Sequence, residues 1–328
     1  MPESLPPPPS LPGVTWRPAA KSDAVAIVAL QDACFEVDDG FREVESEILV
    51  RWESDYCSVD EDTLIAIGPH GDVVAAAWSY LPTIAATKWR AFADTHVHPS
   101  HRTPELNEFV HDWWEARSRQ RLAVKDDGME QWLWRDAYDW QTDKIEFLEA
   151  HGYSPERYFD ELSRDLSGGI ATKPLADGLA VQTWDTAPLG DSLAVHNASF
   201  ADHWGSQPIS EKSWANNVNE FLLPAASYVV YEDDAPVSYL LSAAFPHDFE
   251  DKGRTEAWVE GLGTLRSHRK RGIASALVTF AMEEFKKAGM QFAVLGVDSE
   301  NPTGAHHIYE NLGFVRDRRS IALIKIVK

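Results

Sequence analysis

The sequence predicts an α/β protein in which one structural plan occurs twice along the chain. The chain has 328 residues, enough for two domains at roughly 150 residues each. Landmark residues recur at a nearly constant separation, as in a tandem repeat. Glycine and proline concentrate between the copies, which is typical of a linker. We therefore divide the chain into a Pro-rich tail (1–13), a first domain (14–166), a linker (167–177) and a second domain (178–328).

Each copy alternates strands and helices in the same order. A short strand and an amphipathic helix come first, then a β-hairpin, whose turn in the second copy is predicted at Asp233-Asp234. A strand, a loop and a long helix follow, then another strand. A short helix, a Gly-aromatic pair and a last strand close the copy. The matching landmarks, 161 to 167 residues apart, are Phe35 and Phe200, Arg102 and Arg269, and Gly152-Tyr153 and Gly313-Phe314.

The charge balance is strongly acidic. The chain has 30 Lys and Arg against 52 Asp and Glu, a formal net charge of −22. Such a field repels nucleic acid and anionic membranes and attracts small cations, so we expect neither a nucleic-acid nor a membrane partner. The alternative is that the charge serves only solubility.

Two cysteines, Cys34 and Cys57, are too few for a disulfide scaffold and fit a reducing cytoplasm. The start of the chain, Met1–Gly13, lacks the basic and apolar regions of a signal peptide. Its four successive prolines favour a disordered tail. The sequence has no uncharged apolar run of membrane-spanning length, and we expect a cytoplasmic protein.

A loop in the second copy has the composition of an anion site. The strand 257–265 leads to a basic loop just before a helix, and the loop reads Arg269-Lys270-Arg271-Gly272-Ile273-Ala274. A helix N-terminus offers unpaired N–H groups and partial positive charge, and small residues let a phosphate come close. The glycine patterns of dinucleotide-binding and nucleotide P-loops are absent. The alternative is an ordinary helix start with an incidental basic cluster.

The wider context resembles the GCN5-related N-acetyltransferase (GNAT) family. The resemblance lies in an R-x-x-G-x-A loop followed later by Asn-Pro-Thr-Gly-Ala and Tyr-x-x-x-Gly-Phe, and it is carried by Arg269, Gly272, Ile273, Ala274, Asn301, Ala305, Tyr309, Leu312, Gly313 and Phe314. It covers residues 178–328 well and 14–166 weakly, and the chain resembles the tandem-GNAT group that includes mycothiol synthase. This implies two tandem GNAT folds, each a mixed, mostly antiparallel central sheet flanked by helices.

The resemblance implies roles for named residues in an acetyl-CoA site. Backbone groups of Gly263, Thr264 and Leu265 would bind the pantetheine and polarise the thioester carbonyl. Asn301 and Ala305 would contact the pantetheine arm. The pyrophosphate would lie on the loop formed by Arg269, Lys270, Arg271, Gly272, Ile273, Ala274 and Ser275.

Two residues are candidates for proton transfer. Tyr309 would protonate the leaving thiolate, since a phenol near pKa 10 stays protonated at neutral pH; the alternative is a core aromatic. Glu260 would take the proton of the amine, because period-two alternation puts it on the face of Leu262 and Thr264. The alternative is a solvated carboxylate, and Glu256 is a second candidate.

Two further segments have open interpretations. Asp202, His203 and Trp204 follow the first helix of the second copy, where the family usually contacts the acceptor; the alternative is a plain turn. His96, His98 and His101 have the look of metal ligands, but they lie on a His-Pro-x-x-Arg loop common in the family. We therefore predict no metal.

The first copy has lost the loop. Its sequence after Arg102 places Glu105 at the position of Gly272 and Asn107 at that of Ala274, and Pro104 removes one N–H donor. A carboxylate there would repel a pyrophosphate. We expect a non-catalytic domain that shapes the acceptor cleft; the alternative is that it binds a different ligand.

The sequence therefore predicts an enzyme, an N-acetyltransferase with acetyl-CoA as co-substrate. The acetyl group would pass to a primary amine of a small, cationic molecule by direct attack in a ternary complex. One alternative is a non-catalytic acyl-CoA sensor or scaffold. Another is a mycothiol-synthase-like enzyme with an aminoglycoside-type acceptor.

Overall fold

A computed structural model describes residues 4–300 and 305–328. The chain forms two compact units, one of residues 1–156 with 322–328 and the other of residues 157–321. The units are defined by how the residues pack, and the chain crosses from one unit to the other at residues 156–157 and 321–322, each time within a strand. The predicted boundaries at 14–166 and 178–328 follow the sequence repeat and stay a prediction. In the described part of the chain, no helix is both long and apolar enough to cross a membrane.

The first unit is a sheet with helices against it. Strands β1 to β4 pair antiparallel in chain order, whereas β4 and β5 are parallel. The end of the chain joins β5, because the amides of Gln131 and Val327 bond to the carbonyls of Lys328 and Gln131. The elements are β1 (Thr15–Arg17), α1 (Ala24–Asp38), α2 (Glu45–Glu53), α3 (Val59–Asp62), β2 (Thr63–Ile67), β3 (Val73–Tyr80), β4 (Lys88–Val97), α4 (Pro104–Ala123), β5 (Glu130–Tyr138), α5 (Thr142–Ala150) and the start of β6 (Ser154–Asp165).

The second unit repeats this plan. Strands β7 to β10 pair antiparallel in chain order, β10 and β11 are parallel, and β11 pairs antiparallel with β6. The predicted mixed, mostly antiparallel fold is confirmed. The elements are β7 (Leu179–Thr183), α6 (Leu189–Ser199), α7 (Glu211–Ala215), β8 (Tyr228–Glu232), β9 (Ala235–Ala243), α8 (Phe249–Lys252), β10 (Glu256–Thr264), α9 (Ile273–Lys287), β11 (Phe292–Asp298), α10 (Ala305–Asn311) and β12 (Val315–Ile326).

The β8–β9 hairpin turns on two aspartates. Asp233 and Asp234 have φ of 49° and 64°, the left-handed pair that a two-residue hairpin needs to match the twist of its strands. Aspartate tolerates this conformation better than most side chains. The sequence predicted the turn at these residues.

Helices cover both faces of the sheet in the second unit. On one face α9 buries its apolar stripe, including Leu277, Met282 and Phe285, against β10 and β11. Each such side chain contributes roughly 1.5–3 kcal/mol when buried. On the other face Leu193 of α6 and Trp214 of α7 pack on Tyr239 of β9 and its neighbours. The central strands β8, β9 and β11 are therefore largely buried, whereas the edge strand β7 is mostly exposed.

The parallel pair β10–β11 stays together for only part of its length. The ladder runs from Glu256↔Phe292 to Val259↔Leu295 and stops, although both strands continue. A β-bulge at Glu260 accompanies the separation, because Val259 and Gly261 oppose the adjacent residues Ser242 and Leu241. Bulges bend a strand and increase its twist. Beyond this point each strand keeps only its outer neighbour, and we call the gap between residues 260–264 and 296–298 the wedge.

Candidate active site

The N-terminus of α9 has unused backbone donors. Gly272 is the N-cap, with φ of 80° and no side chain to cap the helix. The first amide bonded within the helix is that of Ala276, which donates to the Gly272 carbonyl, so the N–H groups of residues 273–275 precede the helical ladder. Lys270 is also left-handed, with φ of 64°, a strained conformation for a residue with a Cβ atom. The loop therefore presents backbone donors where an anion could bind.

Arg269 anchors this loop rather than pointing away from it. Its Nε donates to the carbonyl of Thr264 at 3.2 Å and its Nη2 to that of Ser199 at 2.8 Å. Arg102 behaves alike in the first unit, with Nε donating to the Val97 carbonyl at 3.1 Å and both Nη atoms bonded to the Asp38 carboxylate. The arginine common to both copies thus ties the loop to the preceding strand and the first helix.

The other basic residues of the loop differ in whether their charge is already paired within the protein. Arg271 and His268 both bind Glu232, with Arg271 Nη2 2.7 Å from Oε1 and His268 Nε2 2.8 Å from Oε2. The Arg271 hydrogen bond, followed by that of His268, lowers the pKa of Glu232 to about 2. Lys270 is exposed. Of the three cations predicted to hold a pyrophosphate, Lys270 has the most accessible charge.

Two glycines of β10 give the wedge its shape. A Cβ atom on Gly263 would lie 2.3 Å from Ser199 Oγ and 2.6 Å from Tyr239 Cε1, and one on Gly261 would lie 2.9 Å from the Tyr239 hydroxyl oxygen. Any larger residue would have to displace Tyr239, which is fully buried. The two glycines let β10 lie directly on that ring.

The predicted backbone contacts of the pantetheine are partly occupied. The Gly263 carbonyl accepts from Ser238 Oγ at 2.8 Å, and the hydroxyls of Ser238 and Thr264 are 2.9 Å apart. The Leu265 amide donates to the Val237 carbonyl. The contacts of the pantetheine with Gly263, Thr264 and Leu265 stay a prediction. The Leu265 N–H is already bonded to another residue of the protein.

Tyr309 lies in the core face that α10 shares with α9. It is 8% exposed, and its ring is 6.0 Å from that of Phe314. Burial raises the pKa of Tyr309 to about 12, so the phenol carries its proton at neutral pH. Asn301 lies outside the described residues, and Ala305 begins α10.

The two candidate bases lie in different environments. Glu256 is buried at 1% exposure, ion-paired with Lys252 and Arg254 and bonded to Trp258 Nε1 at 3.0 Å. Its carboxylate already has a full set of partners. Glu260 is exposed at the β-bulge. The bulge interrupts the alternation of β10, so the predicted common face with Leu262 does not follow from spacing alone.

A histidine–tyrosine pair, which the sequence did not reveal, supports the other side of β10. His196 Nδ1 and the Tyr239 hydroxyl are 2.7 Å apart, and the His196 ring stacks on Phe200 at 4.7 Å. Burial, with a smaller contribution from His203, lowers the pKa of His196 to about 4. In one tautomer of the neutral imidazole Nδ1 accepts from the Tyr239 phenol, and in the other Nδ1–H donates to the phenol oxygen; either bond fixes the ring against the glycines.

The three predicted acceptor residues have separate surroundings. Asp202 lies 3.4 Å from Arg266 on the surface. The His203 ring is 4.5 Å from that of Phe200, and burial lowers the pKa of His203. Trp204 packs under the guanidinium of Arg157, which is 5.3 Å from the ring centroid. A role for them in acceptor binding stays a prediction.

The first unit closes its own helix N-terminus. The Thr103 hydroxyl caps α4 by accepting from the Leu106 amide at 3.1 Å, and Pro104 occupies the first helical position. The N-cap comes one residue after Arg102 but three residues after Arg269. By helix position Thr103 therefore matches Gly272, and Glu105 matches Ala274. The predicted match of Glu105 to Gly272 was wrong by two residues, although Glu105 does lie in the first turn.

The parallel strands of the first unit are also bridged by a side chain. Their ladder ends at Phe92↔Trp134, and just beyond it Arg135 Nη2 donates to Thr95 Oγ1 at 2.7 Å. Arg135 is buried, with its guanidinium 5.1 Å from the Trp114 ring. A bulky cation thus occupies the interval between these strands. By contrast, a Cβ atom added to Gly296 on β11 would meet open space.

The histidines near Arg102 have structural surroundings. His98 Nδ1 accepts from the Ser100 amide at 3.2 Å, His101 lies 5.8 Å from the His98 ring, and His96 packs on Trp78 at 5.5 Å. His98 therefore caps the turn that leads to α4.

Comparisons with known proteins agree with this geometry. Residues 193–314 match the acetyltransferase (GNAT) family model. The chain is similar to mycothiol acetyltransferases of Streptomyces coelicolor and Streptomyces avermitilis, at 26% and 25% identity; each alignment covers 68% of this chain and 67% of the relative. The fold is similar to a GCN5-related N-acetyltransferase from Sphaerobacter thermophilus (TM-score 0.70, 22% identity, 98% and 97% of the two chains). It is also similar to a tandem GNAT protein from the clavulanic acid biosynthesis pathway (TM-score 0.68, 16% identity, 95% and 98%).

The predicted family resemblance is confirmed for the second unit, which carries a GNAT acetyltransferase domain over residues 193–314. The domain match and the mycothiol acetyltransferase relatives support the predicted enzyme, an acetyl-CoA-dependent N-acetyltransferase. The fold neighbours extend over both units, as expected of a tandem arrangement.

A carboxylate at the start of α9 should abolish tight CoA binding. Ala274→Glu copies Glu105 at the matching helix position, and the dissociation constant for CoA should rise at least about tenfold, or 1.4 kcal/mol. The new charge favours the helix itself, so folding should not suffer. Ala274→Gln is the control for size, and calorimetry is the measurement. Equal affinities of the Glu and Gln variants would contradict the assignment of the loop.

His196 should make the protein less stable in mild acid. Its pKa is about 4 in the folded state against an ordinary value near 6.5, so between these values the unfolded chain binds more protons and stability falls as pH falls. Between pH 7 and 5 the loss should be on the order of 1–2 kcal/mol. Denaturation at both pH values should show a smaller difference for His196→Gln, whereas His70→Gln, an exposed control, should match the wild type. An unchanged pH effect in His196→Gln would contradict this assignment.

Proposed function

We propose that the second unit transfers the acetyl group of acetyl-CoA to a primary amine of a small molecule, by direct attack in a ternary complex. The observation that carries this proposal is the uncapped N-terminus of α9 next to the wedge between β10 and β11. The amides of residues 273–275 are suited to bind the pyrophosphate. The wedge is suited to admit the extended pantetheine, because strand ends that have lost a neighbour keep free backbone groups.

The reaction needs one base and one acid. The amine nitrogen attacks the thioester carbonyl, the C–S bond breaks, and the thiolate leaves. Glu260 is the candidate to take the proton that the amine loses, because it is exposed at the bulge where the wedge begins. Tyr309 is the candidate to give a proton to the sulfur, and its pKa of about 12 keeps that proton available throughout the neutral range.

Tyr239 and His196 act as positioning residues in this proposal. Their hydrogen bond holds the Tyr239 ring against Gly261 and Gly263. The ring in turn supports the segment of β10 that departs from β11. Movement of this support would shift the proposed thioester site, and small displacements of reacting atoms are costly to rate.

The net charge of the chain indicates which class of amine is the acceptor. The chain has a net charge of −22, and two of the three basic residues of the loop, Arg269 and Arg271, are bonded to partners within the protein. We propose a cationic amine as the acceptor. The similarity to mycothiol acetyltransferases favours, as the second candidate, an amino-sugar acceptor of the aminoglycoside type.

Loss of the Tyr309 hydroxyl should slow the reaction without weakening CoA binding. For Tyr309→Phe we expect kcat to fall by about 10²–10⁴-fold, the usual contribution of a general acid, because the ring still packs on Phe314. Steady-state assays of thiol release measure it. Tyr228→Phe is the matched control, since Tyr228 is buried in the same apolar cluster and its pKa is also raised to about 12. A normal kcat in single-turnover assays of Tyr309→Phe would remove Tyr309 from the mechanism.

A panel of amines should rank by charge. Cationic amines should have higher kcat/KM than acidic ones, and the advantage should shrink as salt rises, because screening shortens to about 10 Å at 0.1 M. Thiol release over the panel at low and high salt is the measurement. Glu260→Gln should lower kcat/KM most at low pH, and Glu250→Gln, an exposed control on α8, should not.

The same panel separates the enzyme from a sensor. If CoA binds but no amine releases thiol, a non-catalytic acyl-CoA sensor or scaffold is the better description. If neutral or anionic amines react best and salt has no effect, the charge serves solubility alone.

A further inference from the structure

A cluster of metal-ligand side chains lies in the first unit, on α4 and just after α5. His111, Asp112 and His151 each offer a ligand atom, and these three atoms lie within 4.8 Å of one another. Glu108, one turn before His111 on α4, adds a carboxylate next to His151. Two imidazoles and two carboxylates in this arrangement are a donor set that zinc and related divalent metals prefer.

His151 is oriented as a metal-binding histidine. Its Nδ1 lies 2.7 Å from the Phe147 carbonyl oxygen, which can only accept, so Nδ1 carries the proton. In the neutral ring Nε2 then holds a lone pair, and it faces Glu108 Oε1 at 2.9 Å. A backbone carbonyl that fixes the tautomer in this way is the usual outer partner of a histidine ligand. In the protonated ring Nε2–H donates to Glu108 instead, as an ion pair, and a metal ion would take the place of that proton and bind both atoms.

His111 supplies a second, independent observation. Its side chain is 2% exposed, and within the described residues neither ring nitrogen has a hydrogen-bond partner. Glu115 Oε2 is 3.5 Å from His111 Nε2 and accepts from the Tyr153 hydroxyl at 3.2 Å, while Arg119 and Lys325 are bonded to the other oxygen, Oε1. Buried ring nitrogens normally find a partner. The His111 ring is 4.5 Å from that of His151, and a ligand atom of each ring lies within 4.8 Å of the other.

We propose that the first unit binds one divalent transition-metal ion, of the zinc class, through His111, Asp112 and His151, with Glu108 as the fourth ligand. Adjacent ligands of a metal at bond lengths of about 2.0–2.1 Å are roughly 3 Å apart, which the separation between Glu108 and His151 already matches. Asp112 is exposed and gives the ion a path from solvent. The ion would join the end of α5 to α4.

This inference replaces the expectation that the chain binds no metal, and it places the site away from His96, His98 and His101. It does not depend on the proposed acetyl transfer. It also gives the first unit a ligand of its own, as one interpretation of the sequence allowed.

The test uses the full chain after dialysis against a chelator. Titration with Zn²⁺ by calorimetry should show one ion per chain, and Co²⁺ should give the visible absorption of a low-symmetry site with nitrogen ligands. His151→Gln and Asp112→Asn should each weaken binding at least about tenfold. Zn²⁺ should also raise the melting temperature of the wild type and not of these variants.

Two controls keep the test decisive. His70→Gln and Asp60→Asn change exposed residues of the same unit and should bind Zn²⁺ as the wild type does. His111→Gln is a third site variant, but its buried position makes it sensitive to folding, so the partly exposed His151 and the exposed Asp112 are the primary variants. The proposal is overturned if no stoichiometric Zn²⁺ binding is seen, or if the site and control variants bind equally.

Discussion

The four-residue ladder between β10 and β11 is the constraint on which the second unit depends. Because the ladder stops at Val259↔Leu295 while β9 and β6 continue to hold the outer edges, the strands must part. Parting exposes backbone that a continuous sheet would have used. The bulge at Glu260 makes this possible without breaking the pairing to β9, since it absorbs one residue and re-aims those that follow.

The loop after β10 depends on that separation through Arg269. The guanidinium spans from the end of β10 to the end of α6 and so fixes where α9 begins. Arg102 likewise connects the end of a strand to the first helix in the first unit, yet the helix start that follows it is closed. The helix α4 starts two residues sooner after its arginine, and the Thr103 hydroxyl accepts from one of its first backbone amides. Arg135 bridges β4 and β5 where their ladder ends. One scaffold therefore gives an open helix start in one unit and a closed one in the other, by changes in a few side chains.

Much of this could be predicted from the sequence, and the remainder shows the limits of local patterns. Repeating landmarks predicted the tandem fold, and the aspartates of the β8–β9 turn predicted a hairpin, because these signals act between near neighbours. The role of Arg269 was missed, since one of its acceptors, the Ser199 carbonyl, lies 70 residues away. The His196–Tyr239 bond joins residues 43 apart. The ion pairs of Glu256 with Lys252 and Arg254 depend on a short helix, α8, that ends just before β10 and that composition does not reveal. The two-residue shift at Thr103 was hidden because an aligned arginine does not fix where a helix starts.

The basic loop shows why a cluster of charges in a sequence is weak evidence for a binding surface. Three cations in a row suggest an electrostatic trap for phosphate, but one is an internal anchor and one is neutralised by Glu232. What is left for an anion is the set of amides at the start of α9 together with Lys270. Backbone amides are fixed in direction and lose no side-chain entropy on binding, so such a site can select a pyrophosphate by shape in a protein whose overall field is repulsive to it. In the proposed function the acidic charge acts on the other substrate, so that a single chain attracts a cationic acceptor while it still holds an anionic donor.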